Sequence, residues 1–129
     1  MQTAPSLSSN GVQGSAVLRG VVFTFLCSGM FAGLIALFVY FTAVREQQVA
    51  AGLFVAGVLA VVAGGAYAAH RARCTGWLHG GLVGGTYALI TIALAPLLFP
   101  GSLGFGTVVE RLVLGCAAGI LGGVLGINI

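Results

Sequence analysis

The stretch that decides the fold is residues 20–44, GVVFTFLCSGMFAGLIALFVYFTAV, in which 25 consecutive residues carry no charge. At about 1.5 Å of rise per residue, a helix of this length crosses the roughly 30 Å hydrocarbon core of a bilayer. A cleavable signal peptide would have a shorter apolar region, of about 7–15 residues, before a small-residue cleavage site. We therefore interpret the segment as a retained transmembrane helix.

Three further apolar runs follow, separated by polar or turn-forming residues. The four predicted spans are residues 20–44, 49–69, 77–99 and 108–128. Pro96 and Pro100 favour an end of the third span nearby, because proline lacks the backbone N–H of a helix interior. Thr107 is the predicted N-cap of the fourth span. A β-barrel is disfavoured because its strands alternate apolar and polar residues.

The amino-acid composition also indicates a membrane protein. Hydrophobic residues make up 59% of the chain and charged residues 5%, which is too few charges for a water-facing surface. The arginines are scattered rather than clustered, so nucleic acid is not an expected partner. The predicted fold is an all-α membrane protein, a compact bundle of four transmembrane helices over residues 17–129. Residues 1–16, which are polar and uncharged, are predicted to form a mobile tail.

The charged residues lie near the ends of the spans and suggest an orientation. In a four-span topology Arg19, Arg71 and Arg73 lie on one side of the membrane and Arg45 and Arg111 on the other. Cytoplasmic loops carry the excess of basic residues. The side that contains both termini has one more arginine than the other side. We therefore expect both termini in the cytoplasm.

Small residues recur every four positions in each span, among a total of 22 glycines. Residues four apart share one helix face, and small residues let transmembrane helices approach closely. The predicted helix-packing positions are Gly52, Gly64, Gly76, Gly80, Gly84, Gly115, Gly119 and Gly123. Span one carries the further ladders Ser28-Ala32-Ala36 and Gly29-Gly33. We favour packing within the bundle, while an outward ladder that binds a second copy or a membrane partner subunit stays an alternative.

A few polar positions are candidates for chemistry. An imidazole at His79 could relay protons, but we favour a hydrogen bond to headgroups or to the nearby loop. Anchoring to anionic membrane lipids is expected of three residues at the end of span two, namely His70, Arg71 and Arg73. At the other side, the four-span topology brings two loops together, which predicts crossed ion pairs, Arg45 with Glu110 and Glu46 with Arg111.

The sequence contains no recognisable set of catalytic residues. The chain has no aspartate, and no Ser/His/Asp set or H-E-x-x-H motif is present in it. Cys27, Cys74 and Cys116 form no C-x-x-C pair, so neither a disulfide framework nor a metal site is expected. We expect no catalytic residues and no cofactor.

Three motifs resemble those of a known family. Residues 63–73 read AGGAYAAHRAR, residues 76–84 read GWLHGGLVG, and residues 122–128 read GGVLGIN. These motifs resemble the YrzE-like family of uncharacterised bacterial membrane proteins, over spans two to four. His70 departs from the family pattern, in which paired arginines follow a glycine. The resemblance implies a four-helix protein of the bacterial inner membrane, and it implies no activity and no site residues.

The function that these observations favour is a non-enzymatic structural or accessory membrane bundle. The alternative is an oligomeric channel or carrier for an ion or small solute. A single chain offers few polar groups at mid-membrane, so a transport pathway would need several copies.

Overall fold

The computed structural model describes residues 14–73, 75–98, 100–101 and 104–129. Within these ranges the chain forms four α-helices, namely α1 (Gly14–Phe41), α2 (Glu46–Ala72), α3 (Gly76–Leu98) and α4 (Phe105–Asn128). Each helix is long and apolar enough to span a membrane. The predicted all-α four-helix bundle is confirmed. Residues 1–13 of the expected tail, and Cys74, lie outside the described residues.

Each helix begins before the apolar run from which its span was predicted, and α1 ends at Phe41, before the predicted end at residue 44. α1 begins at Gly14 and not near residue 20, so the last residues assigned to the tail form its first turn. α2 takes in the polar residues at both of its ends. Apolar runs mark the hydrocarbon-crossing part of a helix, whereas its polar ends continue into the headgroup region. Thr107 is not the N-cap of α4, because Gly104 occupies that position.

The two central helices are α2 and α3, which pack against each other. α1 lies on one side of this pair and α4 on the other, and each contacts both central helices. Over their described lengths α1 and α4 do not touch. One long face of α1 therefore has no neighbour within the chain.

Successive helices run in opposite directions. Contacts of Gly20 with Ala68 and of Gly84 with Gly115 align α1 against α2, and α3 against α4, in antiparallel fashion. Residue 14, the α2–α3 connection and Ile129 consequently lie at one end of the bundle, which we call the closed end. The α1–α2 and α3–α4 connections lie at the other end, the open end.

Burial is concentrated in the half of the bundle nearest the closed end, which we call the closed half. In α1 the buried residues stop at Thr24, and in α3 they stop at Ala88. In α4 the first buried residue is Ala118, past the middle of the helix. The helices therefore pack tightly in the closed half and separate in the remaining half, the open half.

The connection at the closed end is short and adopts left-handed backbone angles. Arg73 has φ 52° and Thr75 has φ 38°. Arg73 donates its backbone N–H to the Ala69 carbonyl at 3.1 Å, which ends α2. The Thr75 carbonyl accepts the backbone N–H of Leu78 and of His79, which starts α3. A left-handed residue after a helix reverses the chain direction within a few residues.

The antiparallel arrangement predicts which residues share a side of the membrane. In a background with the native cysteines replaced by alanine, Ser15→Cys and Thr75→Cys should react with an impermeant maleimide from one side of sealed vesicles. Gln47→Cys should react only from the other side, because it lies at the open end. Labelling of Ser15→Cys and Gln47→Cys from the same side would contradict the topology.

Candidate functional site

Helices α3 and α4 approach each other closely enough for their backbones to touch. A Cβ atom on Gly80 would overlap the Gly119 carbonyl oxygen and would lie 2.7 Å from the Cα of Gly123. Gly84 faces the Gly115 carbonyl in the same way. Backbone therefore meets backbone along this contact, and any larger side chain would force the two helices apart. We call this contact and its extension onto α2 the glycine seam.

The seam continues from α4 onto α2. A Cβ on Gly65 would lie 2.7 Å from the Gly119 carbonyl oxygen. Nearer the closed end, Gly122 contacts the backbone of Val62, and Gly126 contacts the backbone of Ala66. The backbones of α2, α3 and α4 thus converge at Gly119.

α1 joins the bundle through Gly20 and Thr24. A Cβ on Gly20 would lie 2.7 Å from the Ala68 Cβ and 2.8 Å from Val83 Cγ2. Thr24 is fully buried, packs its hydroxyl against Gly64, and donates that hydroxyl to the Gly20 carbonyl at 2.8 Å. The adjacent glycines of α2 therefore face different helices, Gly64 towards α1 and Gly65 towards α4.

Sequence reasoning missed the part of the α1 ladder that is used in packing. It placed the ladder at Ser28 and onward, towards the open end. The same four-residue spacing continues backwards through Thr24, Gly20 and Ala16, and all three of these positions are buried. The signal was available, but a threonine interrupts the Gly, Ala and Ser pattern.

Hydroxyl groups near mid-membrane are engaged with each other or with their own helix. Ser28 and Tyr87 share a hydrogen bond of 3.0 Å that joins α1 to α3. The Thr91 hydroxyl donates to the carbonyls of Tyr87 and Ala88. Among the described residues, no buried side-chain nitrogen or oxygen lacks a hydrogen-bond partner. The Ser28–Tyr87 bond thus joins two helices, whereas the Thr91 hydroxyl is satisfied within α3.

The His79 side chain is buried within the bundle and is not exposed to the headgroups considered for it. Its side chain is fully buried in the closed half, and Nδ1 lies 3.1 Å from the Thr75 carbonyl oxygen of the α2–α3 connection. Trp77, two residues earlier, is exposed at the same end. The expected contact with the nearby loop is therefore present, and it fastens the start of α3 to that loop.

Cationic side chains gather at the closed end. His70, Arg71 and Arg73 are exposed there. The guanidinium carbon of Arg71 lies 5.9 Å from the ring centroid of Tyr67, and Tyr67 stacks on Phe23 at 4.9 Å. This placement suits contact with lipid headgroups, because arginine can lie over an aromatic ring while staying in polar surroundings.

The open end carries both acidic residues. Arg45, Glu46, Glu110 and Arg111 are all exposed. The crossed ion pairs expected between them are absent from the described part of the chain, in which no contact within salt-bridge distance is found for these four residues. The helices separate towards this end, so the charged groups face the surroundings.

Separation of the helices leaves a groove of about 710 Å³ between α2, α3 and α4 in the open half. Its walls are mainly apolar, and its polar residues are Tyr87, Thr91, Thr107, Glu110 and Arg111. At mid-membrane the groove reaches residues Val61, Ala88 and Ala118, which are buried. The groove and the glycine seam meet at Gly115, which lines the groove and also contacts Gly84.

Some glycines stay clear of every contact. In the described part of the structure, a Cβ on Gly29, Gly33 or Gly57 would meet nothing within 4 Å. Gly52, predicted as a packing position, would meet only the tip of the Ile35 side chain at 3.9 Å. Close approach is therefore a property of the closed half, and four-residue spacing alone does not identify which glycines take part in it.

The described residues form packing and binding surfaces and do not form a recognisable metal site. Within the described ranges, no three His, Cys, Asp or Glu side chains come together as metal ligands. Cys27 and Cys116 are free thiols at half-buried positions. Two features that can bind another molecule are the groove and the outer face of α1.

In the glycine seam, a Gly→Ala substitution should destabilise the protein, although alanine usually stabilises a helix. Alanine normally favours a helix over glycine by about 1 kcal/mol, whereas overpacking a filled contact costs about 1–3 kcal/mol. Gly80→Ala should therefore lower the free energy of unfolding, measured by circular dichroism during reversible denaturation in mixed micelles. Gly57→Ala is the matched control and should be neutral or stabilising. Equal stability of Gly80→Ala and the native chain would contradict the packing.

The Ser28–Tyr87 bond predicts a modest coupling between α1 and α3. In a double-mutant cycle with Ser28→Ala and Tyr87→Phe, the interaction free energy should be about 0.6 kcal/mol, the average for such bonds in membranes. Phenylalanine keeps the ring contact between residue 87 and Phe25. Additive effects of the two substitutions would show that the hydroxyls do not interact.

Comparison with known proteins gives a family and no function. A family model described as "Protein of unknown function (DUF3792)" matches residues 13–126, which is most of the chain and all of the described helices except their outermost residues. No curated protein and no solved structure matches the chain.

Proposed function

We propose that this chain, which belongs to the DUF3792 family of proteins of unknown function, is a non-enzymatic structural or accessory bundle that pairs with a second copy of itself through α1. Its four apolar helices indicate a multi-pass membrane protein. The pairing surface would be the outer face of α1, centred on Gly29 and Gly33. Association of such bundles positions or stabilises a membrane assembly without a reaction of its own.

The observation that carries this proposal is the contrast between the two sets of glycines. Those of the seam lie against another helix backbone, whereas Gly29 and Gly33 are exposed and open. They lie four residues apart, the spacing of the GxxxG motif through which transmembrane helices pair. The motif suits a symmetric dimer, because each copy presents the same small face to the other. Leu26, Met30 and Leu37 on α1 are exposed around it.

The interior supports a role in packing over one in transport. A conduction pathway needs polar or ionisable groups that face a water-filled space. Here the hydroxyls of Thr24, Ser28, Tyr87 and Thr91 are bonded within the bundle. In the closed half, helix backbones fill the space between α2, α3 and α4.

The second candidate is an oligomeric channel or carrier for an ion or small solute. It is favoured by the groove, which brings Thr107, Glu110 and Arg111 to the open end. Because the groove reaches only to the buried residues at mid-membrane, a route across the membrane would have to form between copies of the chain.

The arginines and the family resemblance support the proposed location and orientation. Arg19, Arg71 and Arg73 lie towards the closed end, and Arg45 and Arg111 towards the open end. The excess of arginine favours a cytoplasmic closed end, and the resemblance to YrzE-like proteins favours a bacterial inner membrane. Membrane lipids and another copy of the chain are the proposed partners, with a membrane partner subunit as the alternative to self-pairing.

Self-association can be measured by energy transfer between labelled copies in liposomes, at several ratios of protein to lipid. The native chain should show transfer above that of random proximity. Gly29→Leu combined with Gly33→Leu should abolish the excess, because leucine keeps the backbones apart.

Gly57→Leu is the matched control, because a Cβ on Gly57 would also meet nothing within 4 Å, but Gly57 lies on α2 and away from the pairing face. It should leave the transfer unchanged. Persistence of the native signal in the α1 double variant would reject pairing through this face. Selective, saturable ion or solute flux in the same liposomes would favour the second candidate.

A further inference from the structure

We propose that the groove binds one phospholipid of the open-end leaflet, with a zwitterionic headgroup whose primary ammonium meets Glu110 and whose phosphate meets Arg111. One acyl chain of the lipid would lie between α2 and α4. The site is a binding site distinct from the pairing face of α1.

The dimensions of the groove fit one leaflet. Along α2 it extends from Ala50 near the open end to Val61 at mid-membrane. At about 1.5 Å per residue this is about 16 Å, close to half of the roughly 30 Å hydrocarbon thickness. Its volume of about 710 Å³ lies within the usual range of ligand sites, about 300–1,000 Å³. An acyl chain that enters at the headgroup level would therefore end where the groove ends.

The wall of the groove is suited to a hydrocarbon chain. Leu53, Phe54, Val58 and Leu114 line it from α2 and α4. Gly57 adds depth at the centre, because no side chain of its own occupies the space in front of it. Leu53 and Phe54 are 42% and 55% exposed, so the groove is accessible from the surrounding bilayer. Lipid is the molecule present at this depth.

Charge is confined to the mouth of the groove. Glu110 and Arg111 both line it, and they lie in the second turn of α4, near the open end. Neither belongs to an ion pair in the described part of the chain. One negative and one positive side chain, adjacent at the end of an apolar slot, complement a headgroup that carries an ammonium and a phosphate.

The pair of charges also predicts which headgroup is preferred. A primary ammonium can donate hydrogen bonds to the Glu110 carboxylate, whereas a trimethylammonium group has no N–H to donate. An anionic headgroup without an amine would meet the repulsion of Glu110. The expected order of binding is therefore phosphatidylethanolamine, then phosphatidylcholine, then phosphatidylglycerol.

Native mass spectrometry of the delipidated full-length chain tests this proposal, with each of the three lipids added at equal concentration. One phosphatidylethanolamine should be retained, in preference to phosphatidylglycerol by about fivefold, the effect of roughly one charge interaction near a membrane surface. Glu110→Gln should remove this preference. Arg111→Gln should reduce retention of all three phospholipids.

Two open glycines supply the steric test. Gly57→Leu fills the groove and should reduce retention of the lipid about tenfold or more. Gly33→Leu adds the same side chain at an open site outside the groove and should leave retention unchanged. Retention by Gly57→Leu equal to that of the native chain, or a headgroup preference that survives Glu110→Gln, would overturn the proposal. Gly33 lies on the pairing face and Gly57 lies in the groove. The two substitutions therefore distinguish a loss of pairing from a loss of lipid binding.

If Gly57→Leu does not fold, a fluorescence measurement without that substitution tests the same proposal. In a chain with Trp77→Phe and Phe54→Trp, the tryptophan reports on the groove, and brominated lipid chains quench it. Brominated phosphatidylethanolamine should quench more strongly than brominated phosphatidylglycerol, and Glu110→Gln should equalise them. Equal quenching by the two lipids before that substitution would contradict the proposal.

Discussion

Direct contact between helix backbones in the closed half is the constraint on which the rest of the structure depends. In lipid the hydrophobic effect does not drive helices together, so their association relies on dispersion contacts and hydrogen bonds at short range. Glycine permits this approach, because a Cβ on Gly80 or Gly119 would overlap the facing backbone. The hydroxyl of Thr24, which packs against Gly64, extends the same principle to α1.

The features available for function follow from the limited extent of this contact. The seam occupies one half of the bundle, and towards the open end the helices carry larger side chains or glycines without a neighbour. Separation there creates the groove between α2, α3 and α4. The same arrangement leaves α1 with an outer face that includes Gly29 and Gly33. The proposed lipid site and the proposed pairing face are thus two consequences of a bundle that is tight at only one end.

Much of the fold could be predicted from hydropathy, because crossing a bilayer requires long apolar helices whose boundaries are marked by polar residues. Which glycines contact another helix backbone could not be predicted from the sequence. Gly52 and Gly80 lie in similar four-residue ladders, yet only Gly80 meets a backbone. Spacing identifies a shared face of one helix, whereas contact depends on the crossing geometry of two. The absent Arg45–Glu110 pair has the same cause, since topology brings residues to one side without bringing their side chains together.

Short-range distances between glycines are the direct test of this account. Solid-state NMR of the protein in bilayers, with carbon-13 in glycine, should give interhelical cross peaks from Gly119 to Gly80 and to Gly65. Gly33 and Gly57 should give no such peaks to another helix of the same chain. Absence of both Gly119 cross peaks would show that the helices do not meet at their backbones, and the account of a bundle held together at its closed end would be wrong.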